Sequence, residues 1–177
     1  MFEHPCYVVL ELPDPVAAQV LALRRRYDAR LAGYPAEITL AGSSGLGTLA
    51  TGQSETGVFD RLQALAHAHL PLPARFVAIR RFATGPVIWL QPEDPAPLEA
   101  FHRALAGSGL AFQPHRFAYT PHCSLSTTTL AVEQQEHLLA EAVPAERFIL
   151  RRLALYEVVE GRPALLRRFE AAPSRAG

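Results

Sequence analysis

The order of apolar and polar segments nearly repeats along the 177 residues of this chain. Each half begins with a strand-like segment, continues with a helix that follows an Asp-Pro pair, and reaches a strand with two polar residues two positions apart. A second helix and a further strand follow in each half, and one closing strand ends the chain. Identity between the halves is negligible, so only the pattern repeats. The pattern predicts two similar lobes, which would place their polar pairs on opposite sides of a cleft if they pack about a pseudo-twofold axis.

Hydrophobic periodicity and turn residues locate the individual elements. Strands are predicted over residues 6–12, 36–41, 75–82, 87–91, 148–159 and 164–169, and around the triplet 122–124. Helices are predicted from Asp14-Pro15, over 55–69, from Asp94-Pro95 to about Gly107, and after Thr129. The strand at 87–91 follows a Thr-Gly-Pro turn, which predicts a hairpin with the strand before it.

The first helix is predicted to bury an apolar face and to expose its arginines. We expect Asp14 to cap this helix and Pro15 to occupy its first position. Val16, Val20 and Leu23 recur at helical spacing and define the buried face. The arginines at 24, 25, 26 and 30 are then interpreted as a solvated face rather than as a surface for nucleic acid.

Two further segments lead to specific expectations. Thr129 is expected to cap a helix that turns Val132, Leu139 and Ala142 inward. The glycine-rich segment Gly42–Gly47 lacks the Gly-Lys-Ser/Thr ending of a P-loop. We therefore expect a mobile loop beside the end of the second strand, with phosphate cradling as the less favoured alternative.

The second polar pair is His122 and Ser124. Residues two apart on a strand point to the same face, so an imidazole and a hydroxyl are expected side by side while Cys123 and Leu125 point into the core. An imidazole can donate a hydrogen bond to a phosphate oxygen or move a proton near neutral pH, and a hydroxyl can donate to a second oxygen. The pair is therefore a candidate half of a phosphate site, although His-x-Ser alone is a weak signal.

The first polar pair, Glu37 and Thr39, occupies the equivalent position in the other half of the chain. The same two-residue period places both side chains on one face of their strand. The repeated pattern predicts that this pair completes the site across the cleft.

Composition excludes several classes of protein. The formal net charge is +0, so no overall field attracts duplex DNA or an anionic membrane. The two cysteines have no C-x-x-C spacing, which argues against a disulfide scaffold or a zinc site and fits a reducing compartment. The first apolar segment is too short for a signal peptide. We therefore expect a cytoplasmic monomer with no membrane association.

Around the second pair the sequence resembles the 2H phosphoesterase superfamily, which includes the 2′-5′ RNA ligase-like proteins and cyclic nucleotide phosphodiesterases. The segment Pro121-His-Cys-Ser-Leu125, reached through the aromatic residues Phe117 and Tyr119, is similar to the second His-x-Thr/Ser motif of that family. The resemblance covers nearly the whole chain. It implies an α+β, bilobal, pseudo-twofold duplicated fold in which helices flank two mainly antiparallel sheets. The single domain would span 1–177, with lobes at roughly 1–82 and 83–170 that could exchange strands.

The resemblance also implies a reaction. In the family, two histidines act as general base and general acid on a phosphodiester, Ser/Thr hydroxyls hold the non-bridging oxygens, and neither a metal ion nor a cofactor is required. Carried over, His122 is catalytic and Ser124 and Thr39 bind the phosphate. The implied substrate is a nucleotide or an RNA end, such as a 2′,3′-cyclic phosphate or a small cyclic nucleotide.

Glu37 departs from the family pattern, because glutamate stands where the first histidine would be. A carboxylate can act as a base, and a carboxyl group with a raised pKa can act as an acid. An ionised Glu37 would repel the phosphate, by roughly 4 kcal/mol for two unit charges about 4 Å apart at an effective dielectric of about 20. Arg80, Arg81 or Arg116 could offset this repulsion, and His4 or His115 is considered as a replacement for the lost imidazole.

Three functions remain open from the sequence. The first is an active phosphoesterase in which Glu37 has a catalytic role. The second is a nucleotide- or RNA-end-binding module whose chemistry is impaired by the glutamate. The third is a protein-contact domain in which the resemblance is accidental and the two polar pairs lie apart.

Overall fold

The computed structural model describes residues 2–171, so the expected domain of 1–177 extends past the described residues at both ends. Helices occupy Val16–Tyr27 (α1), Glu55–His69 (α2), Ala96–Ala106 (α3) and Val132–Leu139 (α4). Strands occupy Cys6–Glu11 (β1), Glu37–Ala41 (β2), Leu46–Leu49 (β3), Leu72–Ala74 (β4), Phe76–Arg81 (β5), Ile88–Pro92 (β6), Phe112–Pro114 (β7), Cys123–Ser126 (β8), Phe148–Leu150 (β9), Arg152–Val159 (β10) and Arg162–Glu170 (β11). Within residues 2–171, no helix is long and apolar enough to cross a bilayer.

Two larger antiparallel sheets organise the molecule. The first sheet has the strand order β11-β10-β1-β2, and the second has the order β5-β6-β8. The shorter pairs β3-β7 and β4-β9 each join a strand from the first half of the chain to one from the second half. The strands β2 and β8, which carry the two polar pairs, are both edge strands. The expected α+β fold is confirmed, whereas the division into lobes near residue 82 stays a prediction.

The larger of two hydrophobic clusters within residues 2–171 lies between the sheets and the helices, and the smaller one, which includes Tyr7 and Tyr156, lies on the other face of the first sheet. Leu10 of β1, Ile38 of β2, Phe76 of β5, Phe101 of α3 and Phe169 of β11 are all fully buried within the larger cluster. Because these residues come from both halves of the chain, the halves share one core. The predicted hairpin of β5 and β6 is confirmed. The single strand predicted over 148–159 is wrong: the segment forms two strands, of which β9 pairs with β4 and β10 pairs with β1 and β11.

The predicted caps of two helices are wrong. Pro15 is the N-cap of α1 and has helical backbone angles, and the Asp14 side chain makes no cap hydrogen bond. The N-cap of α4 is Ala131, two residues after Thr129. The backbone N–H of Ala131 donates a hydrogen bond to the side chain of Gln134. In contrast, the Asp94 carboxylate does accept from the N–H of Ala96 at the start of α3, at 3.0 Å.

The buried face of α4 differs from the predicted one. Val132 is 71% exposed and Leu139 is 40% exposed, whereas Leu138 is fully buried. Ala142 lies beyond the end of the helix and is also exposed. The prediction that Val132, Leu139 and Ala142 face inward is therefore wrong, because the helix spans only Val132–Leu139 and Leu138 occupies its buried face.

The predicted solvated arginine face of α1 is wrong at one position. Arg25 and Arg26 are exposed, but Arg24 is fully buried. Its Nε donates to the carbonyl of Ser124 at 2.9 Å, and its Nη1 donates to the carbonyl of Pro35 at 2.8 Å. Arg24 therefore connects α1 both to the segment that leads into β2 and to β8.

Asp28, one turn after Arg24, makes a second connection to the same strand. One of its carboxylate oxygens accepts from the backbone N–H of Leu31 at 2.9 Å. The other accepts from the backbone N–H of Thr127, just after β8, also at 2.9 Å. The inward face of α1 thus fixes β8 and the residue that follows it against the first half of the chain.

We expect Arg24→Met to destabilise the protein by about 3 kcal/mol or more, because buried carbonyls lose a charged donor. Arg26→Met on the same helix is the matched control. Its guanidinium pairs with Glu141 at 2.9 Å but its side chain is 57% exposed, so the loss should stay below about 1 kcal/mol. Chemical denaturation of both variants measures the difference, and equal effects would contradict the role assigned to Arg24.

Candidate active site

The first polar pair lies together on the edge strand β2. The Thr39 hydroxyl donates a hydrogen bond to Oε2 of Glu37 at 2.9 Å, so the two side chains share one face of the strand. Both residues are partly exposed, whereas Ile38 and Leu40 are fully buried on the other face. The alternation follows the period that the sequence predicts.

The second polar pair lies at the start of β8. His122 immediately precedes the strand and is 8% exposed. Its Nδ1 lies 2.6 Å from the carbonyl oxygen of Thr120. Since a carbonyl can only accept, Nδ1 carries the proton and Nε2 of the neutral ring keeps a free lone pair. The edges of the imidazole pack against Phe82 and Trp89, and this burial lowers the pKa of His122.

Ser124 lies on the same face of the second sheet as His122. It is the cross-strand partner of Trp89, which in turn is opposite Arg80. Ser124 is partly exposed, whereas Cys123 and Leu125 are fully buried. The expectation that these two alternate residues point into the core is confirmed.

Side-chain and loop contacts bring the two motif strands together. The strands β2 and β8 lie next to each other, and Arg24 donates both to the carbonyl of Ser124 in β8 and to the carbonyl of Pro35 just before β2. The Tyr119 hydroxyl, three residues before His122, donates to the carbonyl of Thr39 at 3.2 Å. The segment that carries His122 is therefore attached to the strand that carries Glu37 and Thr39.

The glycine-rich segment Gly42–Gly47 makes further attachments instead of forming a free loop. The N–H of Gly45 donates to the carbonyl of Phe117 at 2.8 Å, and the N–H of Thr120 donates to the hydroxyl of Ser44 at 3.5 Å. The segment also leads directly into β3, which was not predicted from the sequence. Its position beside the end of β2 is as expected.

The electrostatic environment of Glu37 favours the neutral acid. Burial is the main influence and raises the pKa of the Glu37 carboxyl group. The guanidinium of Arg24 and the hydrogen bond from Thr39 oppose this rise. The positive charge that influences the carboxyl group is therefore that of Arg24, which was predicted to lie in solvent.

The arginines considered as charge partners of Glu37 have other contacts. Arg81 donates to Gln135 of α4 at 2.9 Å, and Arg116 lies over the ring of Phe117 at 4.5 Å. Arg80 does lie on the same face of the second sheet as Trp89, and its Nε donates to the side chain of Gln91 at 2.9 Å.

One residue that holds β2 from outside was missed. His102 of α3 stacks on Tyr119 at 3.8 Å, and its Nδ1 lies 2.8 Å from the carbonyl oxygen of Leu40. Leu40 has no partner in β1 because the register shifts there, which leaves its carbonyl free for His102. His102 follows Leu98 by four residues on the apolar side of α3, a spacing that could have indicated an inward imidazole.

The remaining histidines do not provide a clear replacement for the first motif histidine. His115 Nδ1 accepts from the backbone N–H of Phe117 at 3.2 Å, and His69 stacks on Phe101 at 4.7 Å. His4 lies before β1 and is partly exposed. Across residues 2–171, no group of three or more His, Cys, Asp or Glu side chains has an arrangement that could hold a metal ion.

The arrangement provides complementary proton-transfer groups. His122 is held as a neutral imidazole with one free nitrogen, which suits a proton acceptor. Glu37 is a carboxyl group with a raised pKa, which suits a proton donor. The hydroxyls of Thr39 and Ser124 lie beside these groups on their respective strands.

Comparison with known proteins identifies the family and the fold of the chain. The sequence model of the 2′-5′ RNA ligase superfamily matches residues 12–162. E. coli LigT in complex with 3′-AMP is similar over 96% of this chain and 99% of that protein, with 21% identity and a TM-score of 0.60. The protein TT0787 of Thermus thermophilus is similar over 96% of this chain and 99% of that protein, with 19% identity and a TM-score of 0.58. No curated protein sequence matches the chain.

A further solved structure, described as a phosphoesterase, is 21% identical with a TM-score of 0.57 and covers 96% of this chain and 99% of that one. At such low identities, the likeness to solved structures establishes the fold alone. The family match rests on the sequence itself and spans most of the chain. The chain therefore belongs to the 2′-5′ RNA ligase superfamily of 2H phosphoesterases.

Proposed function

We propose that this protein cleaves a phosphodiester without a metal ion, with His122 as general base and Glu37 as general acid. The observation that carries the proposal is the opposite displacement of the two pKa values, downward for the imidazole and upward for the carboxyl group. The base must be deprotonated and the acid protonated at the same pH, so the proposal requires the pKa of Glu37 to lie above that of His122, and both shifts act in that direction. Glu37 would then replace the first motif histidine as a neutral proton donor.

The base step begins at Nε2 of His122. The hydrogen bond from Nδ1–H to the Thr120 carbonyl fixes the tautomer and the orientation of the ring. Nε2 accepts a proton from the attacking water as its oxygen bonds to phosphorus. The resulting imidazolium keeps the Thr120 carbonyl as a hydrogen-bond acceptor.

The acid step takes place at Glu37. As the bond from phosphorus to the leaving oxygen breaks, the carboxyl proton moves to that oxygen and leaves a carboxylate. Thr39, which donates to Oε2 in the structure, would turn its single hydroxyl proton to the phosphate when substrate binds, and the Arg24 charge favours the ionised form of Glu37. With Glu37 neutral at the start, the charge repulsion considered for an ionised glutamate does not arise.

The phosphate-binding groups in this proposal are the hydroxyls of Thr39 and Ser124. Each would donate to a non-bridging oxygen, one from each motif strand. Arg24 cannot contact the phosphate because its guanidinium is buried and bound to backbone carbonyls. Its positive charge instead acts through space on the anion.

The proposed substrate is a nucleotide or an RNA end that carries a 2′,3′-cyclic phosphate, or a small cyclic nucleotide. The family name and the nucleotides in the similar LigT structures, among them 3′-AMP and ATP, support this class. Hydrolysis of the cyclic phosphate would open the ring at one ribose oxygen, which receives the proton from Glu37.

An impaired binding module is the second candidate. The observation that favours it is the hydrogen bond from Thr39 to Glu37, because it directs the hydroxyl proton to the carboxylate instead of to a phosphate. In this case the cleft would bind a nucleotide or an RNA end without turnover.

We expect His122→Ala to reduce the opening of a 2′,3′-cyclic phosphate in the presence of EDTA by about 10²–10⁴-fold, the usual contribution of a general base. His67→Ala, an exposed histidine in the last turn of α2, is the matched control and should retain full activity. Wild-type protein that is inert toward cyclic and linear phosphodiesters would contradict the enzymatic proposal.

The pH dependence of turnover should be bell-shaped. The base must be deprotonated, so activity rises with pH through the pKa of His122, which lies below its ordinary 6.5. The acid must be protonated, so activity falls with pH through the pKa of Glu37, which lies above its ordinary 4.5. Glu37→Gln should lower the maximum by about 10²-fold or more and remove the alkaline limb. An unchanged alkaline limb would assign that limb to another group.

Glu37→His separates the two candidate functions. If Glu37 is a working acid in a site adapted to it, the histidine variant should be slower than wild type at the wild-type pH optimum. If the site is an impaired version of the family site, the variant should be faster. Single-turnover assays with both proteins at matched pH measure this difference.

A further inference from the structure

Tyr7 presents an unusual buried hydroxyl on the cleft-side face of the first sheet. The residue is 9% exposed, and its hydroxyl oxygen is buried without a hydrogen-bond partner among residues 2–171. Buried polar groups are nearly always paired, and an unpaired one costs about 1–3 kcal/mol. The residues around the Tyr7 hydroxyl indicate which group could become its hydrogen-bond partner.

The position of Tyr7 places it on the same face as Glu37. In β1, Tyr7, Val9 and Glu11 alternate onto one face, and the register pairs Val9 with Thr39 and Glu11 with Glu37. The face that holds Tyr7 is therefore the face that holds the first polar pair.

The Tyr7 ring stacks on a neighbouring tyrosine whose hydroxyl serves a different carboxylate. Tyr156 of β10 is the cross-strand partner of Tyr7, and the two rings stack at 5.6 Å with an angle of 25°. The Tyr156 hydroxyl reaches the carboxylate of Glu11, four residues along β1. Among the charged groups near the Tyr7 hydroxyl, Glu37 has the largest effect on its pKa and raises it, so Glu37 is the carboxyl group that Tyr7 senses.

Only one carboxylate on this face of β1 and β2 has an oxygen available for Tyr7. Both oxygens of Glu11 are occupied, one by Tyr156 and the other by Arg168 at 2.7 Å. Glu37 uses Oε2 to accept from Thr39, and Oε1 has no protein donor among residues 2–171. The Tyr7 hydroxyl is inaccessible to solvent, so a nearby protein group is a better partner for it than a ligand.

We propose that Tyr7 is a positioning residue that donates a hydrogen bond to the Glu37 carboxylate as this group gives up its proton. The inference rests on the proposed acid role of Glu37. Tyr7 keeps its own proton throughout, and only the proton of Glu37 moves to the leaving oxygen. An ionised Glu37 is a stronger acceptor for the Tyr7 hydroxyl than the neutral acid is, so this hydrogen bond stabilises the conjugate base of the acid.

A titration of Glu37 must be distinguished from the titration of the other ionisable groups around it. They are Glu11 of β1, Arg24 of α1, Tyr34, Tyr119, Cys123 of β8 and Tyr156 of β10. Burial raises the pKa of Cys123 to about 11 and raises the pKa values of Tyr119 and Tyr156 as well. These groups stay protonated across the acidic range, so Glu11 is the remaining carboxyl group to distinguish from Glu37.

The test compares Tyr7→Phe with Tyr156→Phe. Each variant removes one hydroxyl from the same stacked pair and keeps the ring, but the Tyr156 hydroxyl serves Glu11. The pKa of the Glu37 side chain is measured by ¹³C NMR titration, with Glu37→Gln used for assignment. We expect Tyr7→Phe to raise this pKa by about one unit, the size of a hydrogen bond to a charged group. Tyr156→Phe should leave it nearly unchanged.

Kinetics and stability supply two further readouts. In Tyr7→Phe the alkaline limb of the pH profile should move to higher pH by the same amount as the NMR titration, with a lower maximal rate. At low pH the Tyr7→Phe variant should have a higher thermal stability than wild type, because there the buried hydroxyl of wild type destabilises the fold without forming a hydrogen bond. This advantage should disappear as pH rises through the pKa of Glu37, where wild type gains the hydrogen bond.

An identical Glu37 pKa in wild type and Tyr7→Phe would overturn the inference, whatever the activity. Because NMR titration requires no substrate, the result is separate from the test of the proposed function. If His122→Ala abolishes turnover while Tyr7→Phe leaves the Glu37 pKa unchanged, the proposed function stands and the role of Tyr7 is wrong. If wild type is inert but the pKa shifts, the contact is real and the proposed function is wrong.

Discussion

The buried guanidinium of Arg24 is the interaction on which the arrangement of the two motif strands depends. Its donors go to backbone carbonyls of the segment before β2 and to the carbonyl of Ser124 in β8. Within residues 2–171 no carboxylate lies within salt-bridge distance of it. A buried charge is tolerated only when its hydrogen bonds are satisfied. Both strands must therefore keep their positions around this one cation.

The same cation sets the electrostatic character of the proposed site. It lies close enough to Glu37 to lower the pKa of that carboxyl group, but burial outweighs this effect and raises it overall. His122 has no such neighbour, and burial against Phe82 and Trp89 lowers its pKa. The positive charge thus lies behind a proposed site in which burial shifts the pKa of Glu37 and that of His122 toward their neutral forms, an arrangement that favours binding of an anion.

Local patterns predicted much of the fold and part of the site. The two-residue period on a strand places Glu37 beside Thr39 and separates Cys123 from Ser124, because backbone geometry alone fixes these relations. Helical spacing also contained a signal for Arg24, which follows Val20 by four residues on the apolar side of α1. The charge of Arg24 favoured the prediction that its side chain lies in solvent. Its burial is possible because carbonyl groups from distant parts of the chain accept its hydrogen bonds.

The features that were missed depend on contacts between distant segments. The short strands β3 and β7 form by pairing with each other although they are far apart in the chain, and each has little local signal. The contacts of His102 and Tyr7 come from distant segments, namely the carbonyl of Leu40 for His102 and the ring of Tyr156 for Tyr7. The start of α4 was misplaced because Thr129 is a good cap residue in isolation, whereas Ala131 is where the chain turns.

A crystal structure grown with inorganic phosphate tests the central claim most directly. The account predicts one phosphate between the motif strands, with the hydroxyls of Thr39 and Ser124 both donating to its oxygens and Nε2 of His122 within hydrogen-bond reach. It would be contradicted if these two hydroxyls open onto separate surfaces, too far apart to hold one tetrahedral anion.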